Sequence, residues 1–455
     1  MDAKTSTRRS LSTLLINRNY AFLWSGQAIS SLGDSIYDLT LIVWIAAAIA
    51  RQANGQPAAW APTAVSGVLI AVALPSLFFG PLAGVFVDRW NKRQTMLWMD
   101  LLRMLLIVVL ILVSGTSWLP WRPPMAVQLG AIYVTVFLSS ICSQFFTPAR
   151  AALIGDIVEK QQLGRASGLA QVSQSIAMIM GPPLAAPVLF GFGVQWALLF
   201  NALTFLLSFL CVLRVQAPPA ASSSGSGKAP NFRREFIEGI SYAFGNRVLQ
   251  VLFVTIIVAS LGTGAVNALM VFFVAQNLHI SLPYVGLLDG FFGGGVIFGA
   301  LLISFLSSKF KITRIFTSAI LGFGVLFFLL ARTTNLWIAL VIMLCLGVAQ
   351  AAVNVTFVPL ALGAVPRELV GRVLGTLNPV GTLASLVSVS LSGYLASNLF
   401  KGIHGTFLGF IIGPIDTIFT LAALLIFVSG CYALFRLSPS DVAPTASAEP
   451  APTVS

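Results

Sequence analysis

GPLAGVFVDRWNKR, residues 80–93, decides how the rest of the chain reads. It closes one long apolar run, precedes another, and sets one acid beside three bases: Asp88, Arg89, Lys92 and Arg93. A short, basic, glycine-led turn between two membrane-length helices is a cytoplasmic hinge loop on physical grounds, since Lys and Arg are retained on the cytoplasmic side. Working outward, apolar runs of spanning length recur in both directions, about 20 residues being enough to cross the hydrocarbon core. Twelve are found: 20–50, 63–86, 94–114, 126–146, 165–190, 194–214, 248–276, 284–306, 312–332, 336–360, 373–398 and 409–436. The runs at 20–50 and 373–398 exceed the minimum, so their helices must tilt, bend or project.

Composition agrees. A chain of 455 residues that is 57% hydrophobic and 9% charged, with mean hydropathy +0.92, has too little polar surface for a soluble domain of its size and reads as an all-α membrane protein. The net charge of +12 would suggest nucleic acid in a soluble protein. Here the bases sit in short loops between apolar runs, so no nucleic-acid partner is expected. With the N-terminus inside, the odd-numbered loops hold only Arg51, Arg122, Arg332 and Lys401 of the 26 Lys and Arg. That asymmetry predicts both termini in the cytoplasm. Cys142, Cys211, Cys345 and Cys431 lie singly inside apolar runs and read as small hydrophobes. The histidines are His279 and His404, both in loops, which leaves no His-built catalytic or metal site. No GxxxxGK[ST] motif occurs, which argues against an ATP-driven pump, and no cofactor is called for. The basic opening MDAKTSTRRSLSTLL leads into no cleavable h-region, so the first helix is expected to act as its own insertion signal.

One linker interrupts the pattern. VQAPPAASSSGSGKAPN (215–231) is rich in Pro, Ser, Ala and Gly and reads as flexible. FRREFIEGISYAFGNR (232–247) follows, with Phe232, Phe236 and Ile240 four apart, as in an amphipathic surface helix. The expected organisation is a cytoplasmic segment 1–19, a six-helix bundle 20–214, a linker 215–247, a second bundle 248–436 and a disordered cytoplasmic tail 437–455. The halves resemble each other: LGDSIYDLTLIVWI (32–45) sets against LGTGAVNALMVFFV (261–274), and GPLAGVFVDRWNK (80–92) against GALLISFLSSKFK (299–311). Gly164-Arg165 likewise matches Gly371-Arg372. Three matches in one order suggest duplication of a six-helix unit, which is how transporters place a site between halves.

The hinge loop resembles motif A of the major facilitator superfamily: Gly84, three residues, Asp88-Arg89, then Arg93. Asn91 stands where that family usually has glycine, and asparagine tolerates left-handed backbone nearly as readily. Gly168, Ala177, Gly181, Pro182, Ala185 and Ala186 resemble the antiporter motif, motif C, with alanine replacing glycine at three places. Small residues on one face permit close helix approach, and Pro182 bends the helix. NRNYAFLWSGQAISSLGDSIYDLTL (17–41) and FTPARAALIGDIVEKQQLGRASGL (146–169) are similar to the drug–proton antiporter branch that includes macrolide-efflux proteins and the enterobactin exporter. The resemblance implies the major facilitator fold, with twelve transmembrane helices in two pseudo-symmetric six-helix bundles. It implies export by proton antiport across the cytoplasmic (inner) membrane. It also implies that Asp88, near the start of the eleventh helix, latches the halves together with Arg89 and Arg93. Many relatives carry a membrane arginine in the fourth helix. Here AVQLGAIYVTVFLSSICSQFF has no base before Arg150, so a relay of that design is not expected.

Asp34 and Asp38 lie four apart, on one face of the first helix. A charge in hydrocarbon costs at least about 2.5–3.5 kcal/mol, so such residues usually face an aqueous cavity and act there. Asp38, deeper in the run, is the first candidate for proton coupling, followed by Asp34 and by Asp289 in YVGLLDGFFGGGVIFG. Asp416 reads as interfacial, and Asp100 with Arg103 as a self-neutralising pair three apart. Gln27, Tyr37, Gln171, Gln174, Asn267 and Asn354 are candidates for lining a central cavity, as are Asn201, Gln350 and Asn378, and several of these polar residues serve only as helix–helix hydrogen bonds. The expected partners are a hydrophobic or amphipathic small molecule of drug or macrolide type, protons or another coupling cation, and membrane lipids. The alternative substrate is a dedicated metabolite such as a siderophore or a lipid-like molecule. The working form is expected to be a monomer, and no enzyme activity is expected.

Overall fold

The computed structural model describes residues 16–49, 58–115, 123–216, 241, 245–307, 309–365, 370–400, 405–407 and 410–437. Among them twelve helices are long and apolar enough to cross a membrane. In chain order these are α1 (Arg18–Trp44), α2 (Ala61–Arg89), α3 (Lys92–Val113), α4 (Met125–Ile157), α5 (Leu163–Phe192) and α6 (Val194–Leu213). The second six are α7 (Arg247–Gln276), α8 (Tyr284–Leu306), α9 (Ile312–Arg332), α10 (Leu336–Ala364), α11 (Val370–Tyr394) and α12 (Pro414–Arg436). Single π-helical turns, Ile45–Ile49 and Leu395–Leu399, prolong α1 and α11. The amphipathic segment 232–247 and the linker before it lie almost wholly outside the described residues.

Two boundaries differ most from the hydropathy reading. The fourth run was expected to end at residue 146, where Thr147-Pro148-Ala149-Arg150 turns polar. The helix instead continues through Pro148 to Ile157, because Ala149 and Leu153 pack into a core with Leu23, Val87, Met96, Phe146 and Val212. Tertiary packing outweighs the one backbone hydrogen bond a proline forfeits. The last run was expected from residue 409, but strands β1 (Gly405–Phe407) and β2 (Phe410–Ile412) pair antiparallel before Gly413-Pro414 starts α12. A short apolar strand and a helix end look alike in hydropathy.

The chain divides into two compact units. The first comprises Met1–Gly225 with Ala268–Gly290 and Ala396–Lys401; the second comprises Ser226–Asn267, Phe291–Leu395 and Gly402–Ser455. In the first, α1 packs on α5 and α6, α2 on α4, and α3 on α4 and α6. The α1–α6 seam is close: a side chain at Gly33 would run into Thr204 and Asn201. The added segments join through short contacts. Gly286 lies against the backbone of Pro182, Gly290 against Pro183, and Thr63 Oγ1 donates to Ser397 Oγ at 2.8 Å. In the second unit α9 packs on α10 and α12, and α8 crosses α10 where Gly295 and Gly347 face each other's backbones.

Candidate functional site

The hinge loop is built around Asn91. Its backbone is extended (φ −70°, ψ 108°), and its Oδ1 accepts from the amide of Gln94 at 3.1 Å. Asparagine therefore serves as the N-cap of α3, not as a left-handed turn residue; a side-chain acceptor for a free first-turn N–H is what a helix start needs. Arg93 Nη2 donates to the carbonyl of Leu213 at 2.6 Å and Nε to that of Val212 at 3.2 Å. A cation on the free carbonyls of a helix C-terminus is favourable, so Arg93 ties the loop to α6. Lys92 Nζ donates to Asp156 Oδ2 at 2.7 Å, tying it to the end of α4. Arg89 is exposed, and a side chain at Gly84 would meet open space. The Asp88 side chain lies outside the described residues.

Motif C behaves as a packing stripe over most of its length. Ala177, Gly181, Ala185 and Ala186 are buried, with Gly181 directly against Ser35 of α1. Pro182 and the neighbouring Pro183 form the surface that receives Gly286 and Gly290. Gly168 stands apart, exposed, with nothing near its Cα face.

Deeper in the first unit, α1, α3, α4 and α6 assemble a polar chain. Ser208 Oγ donates to Asp100 Oδ2 at 2.6 Å. Gln27 Nε2 donates to Ser208 Oγ at 2.9 Å, and Arg150 Nη1 reaches Gln27 Oε1 at 3.5 Å. Asp100 and Arg103 are almost wholly buried and form an ion pair three residues apart, at 3.9 Å. The Arg103 guanidinium lies 4.5 Å from the ring centre of Phe146 and 5.0 Å from that of Phe205. Both are within cation–π range. Its Nε and Nη2, and Asp100 Oδ1, have no hydrogen-bond partner. Arg103 also acts electrostatically on Asp34 and on Arg150, and Asp34 on Asp38 and Asp100.

The candidates divide accordingly. Asp34 is half-buried beside Asn201, whose Nδ2 falls short of ordinary hydrogen-bond geometry. Asp38, one turn on, is exposed. Tyr37 is buried with its hydroxyl unpaired. Asp289 belongs to the same unit through the Ala268–Gly290 segment and is half-buried. Gln27 and Gln174 line a narrow cleft with Tyr20, Trp24, Ser31 and Arg150, and Ser31 Oγ donates to Gln174 Oε1 at 3.3 Å. Its free volume, about 20 Å³, admits a water or one small polar group. Gln171 is exposed, as are Asn267 and Asn354 of the second unit, and Asn354 Oδ1 accepts from Gln350 at 3.0 Å. Asp416 caps α12, its Oδ2 accepting from the Gly413 amide at 3.1 Å. Arg150 is the residue that sequence reasoning missed. Placed at a helix end by hydropathy, it stands within α4 and faces the cleft.

The family profile of the Major Facilitator Superfamily matches residues 23–389 and 252–454. The chain belongs to the major facilitator superfamily. Macrolide efflux protein A of Streptococcus pyogenes is 24% identical over 393 residues, 85% of this chain and 91% of that protein. The uncharacterized MFS-type transporter YkuC of Bacillus subtilis (strain 168) is 23% identical over 406 residues, 86% and 89% of the two chains. The crystal structure of the nucleoside transporter NupG superposes with a TM-score of 0.71 at 11% identity, over 92% of this chain and 99% of that one, which shows the fold. This facilitator is thus a multi-pass membrane transporter and not an enzyme.

Proposed function

We propose that this facilitator exports an amphipathic small molecule in exchange for protons, by alternating access between two six-helix bundles. The observation that carries the reading is the polar chain of the first unit. An accessible carboxylate, Asp38, adjoins a half-buried one, Asp34, which shares the field of a guanidinium with few partners of its own. Mutual repulsion disfavours two adjacent charges, so Asp38, the accessible carboxylate, is the group that takes up and releases the proton. Arg103 divides its attraction between Asp34 and Asp100, and so carries the charge state of α1 to α3 and α4. Arg150, Gln27 and Gln174 offer polar contacts in the adjoining cleft. Similarity to a macrolide efflux protein supports the outward direction and a drug- or macrolide-type substrate. A dedicated metabolite such as a siderophore or a lipid-like molecule is the alternative. The same reading takes a monomer in the cytoplasmic membrane with both termini in the cytoplasm, Asp88 as a latch and Asp289 as a second protonation site.

The test is reconstitution into proteoliposomes under an imposed pH gradient, following internal pH during addition of lipophilic cations, macrolides and catechol siderophores. Substrate-evoked proton flux, lost in Asp38→Asn and retained in Asp416→Asn, is expected. Full flux in Asp38→Asn removes Asp38 from coupling, and transport indifferent to the pH gradient removes the antiport.

A further inference from the structure

In the second unit a groove of about 460 Å³ runs between α8, α9 and α10, within the size range of ligand pockets. Its walls are apolar: Ile303, Leu306, Ile315, Ala319, Leu326 and Val348 among them. Ser318, the hydroxyl in the lining, is satisfied within its own helix by the carbonyl of Ile315 at 3.0 Å. The groove has one charged end. Arg314 lines it, and Lys309 and Lys311 lie in the adjoining turn, both exposed. No acidic residue occurs in the sequence between Asp289 and Glu368. No ion pair is found for any of the three bases among the described residues.

Length fits a lipid tail. From Arg314 to Leu326 the groove follows twelve residues of α9, about 18 Å at about 1.5 Å per residue. One leaflet of a hydrocarbon core is about 15 Å deep. An apolar channel one leaflet long, with bases that hold no carboxylate among the described residues at one end, matches an acyl chain topped by a negative headgroup. Positive-inside placement puts those bases at the cytoplasmic surface, where anionic lipid is recognised by basic pockets between helices.

We propose that this groove binds one acyl chain of an anionic phospholipid, with its phosphate held by Arg314 and flanked by Lys309 and Lys311. The site is separate from the transport reading, since no residue of the polar chain in the first unit takes part. A Cβ at Gly322, on the groove lining, would meet open space, so Gly322→Leu sends its side chain into the channel.

Delipidated full-length protein, titrated with phosphatidylglycerol and phosphatidylcholine of the same chains and weighed by native mass spectrometry, tests the site. The wild type is expected to keep a phosphatidylglycerol adduct in preference to phosphatidylcholine. Arg314→Gln is expected to lower that preference about fivefold. Gly322→Leu is expected to lose the tight adduct of both lipids, and Lys160→Gln in the first unit to change neither. Equal headgroup preference in wild type and Arg314→Gln overturns the proposal. So does a phosphatidylglycerol adduct that survives Gly322→Leu. Displacement of the adduct by inorganic phosphate overturns it in favour of a free-anion site. A dimer that Gly322→Leu dissociates overturns it in favour of a second copy of the chain. Arg314 is exposed, so its variant folds and keeps the headgroup comparison decisive if Gly322→Leu does not fold.

Discussion

Arg103 is held between Phe146 and Phe205 with its nearest acid, Asp100, 3.9 Å away. Removing the guanidinium leaves Asp100 buried beside one serine donor, and breaking a buried pair from one side costs about 3–5 kcal/mol. Arg103→Met is therefore expected to melt well below the wild type in detergent. Adding Asp100→Asn to it restores most of the loss, because the stranded charge goes with it. A single Arg103→Met that melts like the wild type shows the pair to be idle. Asp34 and Asp38 were legible in the sequence because carboxylates stand out in an apolar run. The rings around Arg103 were not, since they come from α4 and α6 and meet it only through the rotation of three helices about their axes. Arg150 was misplaced for a different reason: a proline and a threonine before it lower local hydropathy without ending the helix.

At the scale of elements, Asn91 separates two accounts of the hinge loop. If it were needed for left-handed backbone, glycine would suit it better. As the N-cap of α3 it resists replacement by alanine, at about 1 kcal/mol, more than replacement by glycine, at a few tenths. Hydrogen exchange at the first turn of α3 is expected to rise most in Asn91→Ala. On α5, Gly181→Val is expected to abolish the folded peak on size exclusion, since its Cβ would enter Ser35, whereas Gly168→Ala meets open space and melts like the wild type. A motif read as a single stripe thus has members of unequal weight. Helix number was legible because hydropathy averages over a whole span. The hairpin before α12 was not, because three-residue strands are shorter than the window that detects periodicity.

For the whole molecule, the loop charges make a topological prediction. In a background lacking the four native cysteines, Lys309→Cys is expected to react with an impermeant thiol reagent only from the cytoplasmic side, and Trp337→Cys only from outside. Both positions are exposed, so silence from both sides is not expected, and the reverse pattern inverts the orientation. The first unit carries a further consequence, one of timing. It is discontinuous along the chain, borrowing Ala268–Gly290 and Ala396–Lys401 from segments that follow the linker. A ribosome adding about 5–20 residues per second makes the last of these roughly ten to forty seconds after α6. During that interval Pro182 and Thr63 await partners not yet synthesised. The unit holding the candidate proton path is begun first and completed among the last, so a nascent chain stalled after the linker holds the carboxylates of α1 in an unfinished unit.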